Sequence, residues 1–202
     1  MLVDGLITFH VVNIAYFVKN NRQHMDNAYQ QTLWKNFAAE IDMLSAAVQL
    51  SPGQLWDEEG KFYYLTYHTT IFLDYYLSRP VRDFVPVLPY HIIDPGKMPA
   101  GAVDDVMPDR HYSRQELMDA LILIREKCRR MTLVSTEEQL MARWIEPEEW
   151  DLHDLCPSLV RDYTVLEILF YNLRHVQHHV GQLNYILRTT IDQVPGWIAY
   201  PA

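Results

Sequence analysis

Apolar residues recur at threes and fours along several stretches of the chain, the period of one helix face. The clearest stretch is 161–190, which contains no proline and one glycine and predicts a long helix. Leu169, Leu173, Val176, Val180, Leu183 and Leu187 form a stripe that can bury against a partner helix. The adjacent stripe is Val165, Ile168, Asn172, His175, His179, Gln182 and Ile186, apolar at both ends and polar in its middle. Both stripes face inward in a bundle, so imidazoles and carboxamides stand where a core takes leucine.

The same reading places a first helix from Asp26 to about Gln49, on Ala28, Leu33, Trp34, Phe37, Ile41, Leu44 and Val48. Glu40 and Asp42 fall within it and read as charges on its solvated face. Ser51-Pro52-Gly53 closes it, and Asp57-Glu58-Glu59-Gly60 is a polar turn. A second helix runs from Lys61 to Ser78, stopped by Pro80, with Leu65, His68, Phe72 and Tyr75 on one face. Asp74 points ~240° around that helix from His68. The stretch 81–110 holds five of the eleven prolines, with Pro80 just before it, and neither period persists. A connection of this length calls for a reason, either a crossover along a bundle or the rim of a pocket. Ser113-Arg114-Gln115-Glu116 is a capping box opening a third helix to about Thr132. Ser135-Thr136-Glu137-Glu138 opens a short helix to about Trp144. With no good strand, the pattern predicts an all-α four-helix bundle with one long crossover.

The length of 202 residues suits one domain. A net charge of −9, with no basic stripe, argues against a nucleic-acid backbone as partner. Cys128 and Cys156 form no C-x-x-C pair and read as free thiols of a cytoplasmic protein. Residues 6–18 are apolar, but His10 and Asn13 interrupt them, and the run is too short to span a membrane and lacks a secretory signal's features. Residues 1–24 read as an extension before a domain at 25–202, either an added helix or an upstream segment.

His175 and His179 sit one turn apart, the spacing by which H-x-x-x-H pairs grip zinc. A solvated histidine face is the alternative. The place of the pair inside the apolar arc favours the metal, because unpaired buried polar groups cost ~1–3 kcal/mol each. His178 lies at the edge of the polar side. His91 and His111 have no spacing partner and read as surface residues.

His68, followed by the H-x-x-H-H-x-G-Q run at 175–182, resembles the DinB-like superfamily, including bacillithiol transferases and mycothiol-dependent maleylpyruvate isomerases. The resemblance covers residues 25–190. Two departures stand out: Val180 replaces the arginine of many members, and the N-terminal extension is unusual. The resemblance implies one metal held by His68, His175 and His179, an up-down-down-up bundle that explains the crossover, and a homodimer. Three imidazoles leave a fourth coordination position open, as in reactive sites, and suit zinc, nickel or iron. Asn172 and Gln182 either orient an imidazole or a bound ligand or hydrogen-bond between helices, and Tyr64, Tyr67, Tyr75 and Tyr171 either line a pocket or are ordinary core aromatics. The implied activity is transfer of a low-molecular-weight thiol onto a small-molecule electrophile. Metal-assisted hydrolysis is a close variant, although no glutamate stands between the ligands as in H-E-x-x-H. The competing class is a non-catalytic metal-binding or dimerisation module.

Overall fold

The computed structural model describes residues 28–56 and 60–201. The expected extension, the start of the first helix at Asp26 and most of the polar turn lie outside them. The chain is mostly α-helical: α1 (residues 28–50), α2 (Lys61–Tyr76), α3 (Arg114–Val134), the short α4 (Glu137–Met141) and α5 (Val165–Ile191). None of these helices is long and apolar enough to cross a membrane.

Local chemistry sets the helix starts. Ser113 and Glu116 cap α3 reciprocally, as their spacing predicts. On α4 the capping box is Thr136 with Gln139, one residue later than expected, because Ser135 is already the C-cap of α3. A third box, Thr164 with Glu167, starts α5 at Val165. The residues before it are held elsewhere: Trp144 N–H donates to Tyr163 O, and Val165 N–H to Ala142 O.

α2 is the central element, with every residue from Phe62 to Tyr76 buried except Tyr64. A helix buried all round has no clean amphipathic stripe. Its buried threonines Thr66, Thr69 and Thr70 satisfy their hydroxyls on carbonyls one turn back. Asp74 is also buried, where it accepts from Val87 N–H and pairs with Lys127 of α3.

Cross-helix contacts fix the chain directions. His68 meets His179 and Tyr76 meets Tyr171, so α2 and α5 run antiparallel. Tyr63 contacts Tyr112 and Asp74 contacts Lys127, so α2 and α3 run in the same sense. Asp42 pairs with Arg125, and Gln30 donates to Ser135 O, so α1 opposes α3.

The long connection departs from the reading that it has no strand. Tyr90–Ile92 (β1) and Val106–Pro108 (β2) pair as a small antiparallel hairpin, Tyr90 opposite Pro108 and Ile92 opposite Val106. Tyr67 ties it to α2, donating from its hydroxyl to Pro89 O. Glu40 overturns its assignment to a solvated face: it is 4% exposed, and its Oε1 has no hydrogen-bond partner among the described residues. Asp42 is half-buried against Arg125 rather than solvated.

Candidate metal centre

The packing of α5 against α2 brings three imidazoles from distant parts of the chain to one point. His175 Nε2 lies 3.0 Å from His68 Nε2 and 3.1 Å from His179 Nε2. His68 and His179 are buried, and His175 is half-buried. Two nitrogens bound tetrahedrally to one zinc at ~2.05 Å lie about 3.3 Å apart, close to these spacings. No fourth histidine, cysteine, aspartate or glutamate joins the group among the described residues.

The back of two rings is held. His179 Nδ1 lies 2.7 Å from Gln182 Oε1, which accepts its proton and leaves the Nε2 lone pair free. His68 Nδ1 lies 2.9 Å from Asp104 Oδ2, an electrostatic contact rather than an aligned hydrogen bond. Both partners place the proton on Nδ1. One Nε2–H on His175 would serve only one of its two close neighbours, and the other contact would set lone pair against lone pair. A cation at the centre satisfies all three nitrogens at once, so the donor set fits a metal. With its lone pair turned inward, His175 carries its proton on Nδ1, which is buried and unpartnered among the described residues.

Electrostatics keeps His175 and His179 neutral. Burial, then the neighbouring His68, His179 and His178, hold His175 down to about 2. Burial also holds His179 down to about 4, although its bond to Gln182 opposes the shift. Neutral imidazole is the form that binds metal.

The wall is aromatic. Phe72 lies 4.7 Å from the His68 ring and 5.8 Å from His175, and Tyr76 meets His175 edge-on. Tyr171 stacks on His175 at 6.4 Å.

Other expected participants lie elsewhere. Tyr75 packs against Phe84, Trp144 and His153 instead of His68, His175 or His179, because α5 sits on the Tyr76 side of α2. Asn172 is buried, but its amide donates to Leu73 O, a link between helices rather than a contact to the ligands. Tyr67 holds the hairpin. Tyr64 packs beside Tyr63 and lines a groove under the hairpin. His178 is exposed, beside His179 but outside the cluster. His91 is exposed as expected, whereas His111 is half-buried and stacked on Tyr63.

Comparison with protein-family models, curated proteins and solved structures finds no match. The functional reading therefore rests on the residues themselves.

Asp104 is the participant that the sequence reading lacks. It comes from the proline-rich connection, 36 positions after His68. No spacing rule links the two, and only the folded hairpin joins them.

Proposed function

We propose that the chain is a DinB-like metal-dependent enzyme, a four-helix bundle in up-down-down-up order, that transfers a low-molecular-weight thiol to a small-molecule electrophile. The shared sense of α2 and α3, bridged by the long connection, supports that order. The observation that carries the function is the convergence of three imidazole nitrogens with only three protein ligands among the described residues. A zinc, nickel or iron ion held there supplies a Lewis acid and a cationic partner for an ionised thiol.

The chain's own residues do the rest. His68, His175 and His179 bind through Nε2, while Asp104 and Gln182 hold two of the rings in register. Phe72, Tyr76 and Tyr171 cover the His175 side. In the transfer the thiol gives its proton to solvent, and its sulfur forms a bond to an electrophilic carbon. The displaced group leaves with the bonding pair.

Thiol transfer is favoured over hydrolysis because no carboxylate among the described residues joins the converging nitrogens. Asp104 lies behind His68, on the Nδ1 side. Glu167 is exposed and engaged in the α5 cap with Thr164.

The test is a cobalt-substituted protein. Added 2-mercaptoethanol or azide is expected to change its ligand-field spectrum, because an open position accepts an outside ligand. A spectrum unchanged by both means a closed site and overturns the enzyme reading in favour of a binding module.

A further inference from the structure

The three rings of the centre are not held alike. His179 Nδ1 meets Gln182 Oε1, three residues further along α5, and His68 Nδ1 faces Asp104 Oδ2. The Nδ1 of His175 is equally buried, yet it has no hydrogen-bond or ion-pair partner among the described residues. A ligand ring without a partner on its second nitrogen is free to turn, and its proton is not fixed to one nitrogen.

α5 carries an acceptor in the complementary condition. Among the described residues, the buried side-chain atoms of α5 without a hydrogen-bond partner are Asn172 Oδ1, His175 Nδ1 and Asn184 Oδ1. Asn184 stands nine residues beyond His175, whereas Asn172 stands three before it. Asn172 is fully buried, and its Nδ2 donates to Leu73 O at 3.2 Å. A backbone carbonyl only accepts, so this bond fixes the orientation of the carboxamide and leaves Oδ1 as its free end. A bare acceptor thus stands one turn from a bare donor.

Residues three apart on a helix are neighbours, with Cβ atoms about 5–6 Å apart. Helical side chains lean toward the N-terminus, so the His175 ring lies over the turn that carries Asn172. Its stacking on Tyr171 shows that lean. No direct bond joins the two atoms. One water with two ordinary hydrogen bonds spans about 5 Å, and buried water characteristically sits between groups that the protein leaves unsatisfied. Phe72 and Tyr76 close the α2 side of the ring.

We infer that Asn172 is the positioning residue of His175: its Oδ1 holds the Nδ1 proton of that ring through one buried water. The carboxamide then has two tasks. Nδ2 ties α5 to α2, and Oδ1 completes a set in which each ligand ring is held from behind by an oxygen. The inference rests on the reading of the histidines as metal ligands and is independent of thiol transfer.

The test uses the zinc-loaded full-length chain and two readouts. Competition with a chelator gives zinc affinity, and NMR of ¹⁵N-labelled histidines follows the Nδ1 protons. In wild type the His175 Nδ1 proton is expected to exchange slowly with solvent, as that of His179 does. Asn172→Leu fills the same space without either polar atom. It is expected to weaken zinc affinity about 10- to 100-fold and to speed exchange at His175, with the His179 proton unchanged. Asn172→Asp keeps Oδ1 and loses the donor to Leu73 O. It is expected to retain zinc affinity and slow exchange while its thermal midpoint falls. Three results overturn the inference and leave Asn172 as a link between helices. They are free exchange of the His175 proton in wild type, wild-type affinity and exchange in Asn172→Leu, and an Asn172→Asp protein that loses zinc. The wild-type exchange and Asn172→Asp decide the matter even where Asn172→Leu does not fold. A wild type that binds no zinc overturns the metal reading itself, and the inference falls with it.

Discussion

The spacing of His175 Nε2 from its two neighbours, 3.0 and 3.1 Å, is the contact that most needs a cation. Removing any one imidazole should therefore abolish stable metal binding, whereas His178→Ala should leave it intact. Metal content after dialysis distinguishes these cases. Asp104→Asn should weaken metal affinity by roughly 10- to 100-fold, the usual effect of losing a group that orients a ligand. Competition with a chelator measures it, and unchanged affinity would remove Asp104 from the centre. The i, i+4 pair was legible from sequence because helical spacing is local. Asp104 was not, since only the hairpin brings it to His68. Tyr75 was misplaced for a different reason. It lies nearly in line with His68 on the helical wheel, but α5 covers the neighbouring arc, where Phe72 and Tyr76 stand.

Among the elements, α5 carries both packing and chemistry on adjacent faces. Leu183 is fully buried on its apolar stripe, so Leu183→Ala should cost about 2–5 kcal/mol while metal content is retained. Leu173, expected on the same stripe, is half-buried and makes a poorer probe. Thr164→Ala should cost about 1 kcal/mol by removing the cap from the first turn of α5. Urea unfolding checks both. The periodic helices were legible at their centres, and their ends depended on competition between caps, as Ser135 and Thr136 show. α2 was legible as a helix but not as the buried centre, because a helix surrounded on all sides has no polar face to orient it.

At the scale of the whole molecule, buried titrating groups make the stability of the metal-free protein pH-dependent with opposite signs. His175 and His179 titrate below 6.5 in the fold, so between pH 6.5 and 4 the unfolded chain binds more protons. Their contribution is complete above pH 6.5 and declines as the pH falls. Burial raises Glu40 from 4.5 to about 7, so its contribution is complete below pH 4.5 and is lost as the pH rises through 7. Glu40→Gln should therefore raise the thermal midpoint at pH 8 and much less at pH 5. An equal shift at both would contradict the burial argument. Sequence indicated the all-α class and the long connection, because helical period and proline density are properties of segments. It missed the burial of Glu40, which depends on which neighbours close over α1. The most direct test of the central claim is elemental analysis of untagged protein, wild type beside His68→Ala, with helicity measured on both. The account predicts about one equivalent of zinc, nickel or iron in the wild type and almost none in a folded variant. Metal absent from the wild type after reconstitution, or retained in full by His68→Ala, would contradict it.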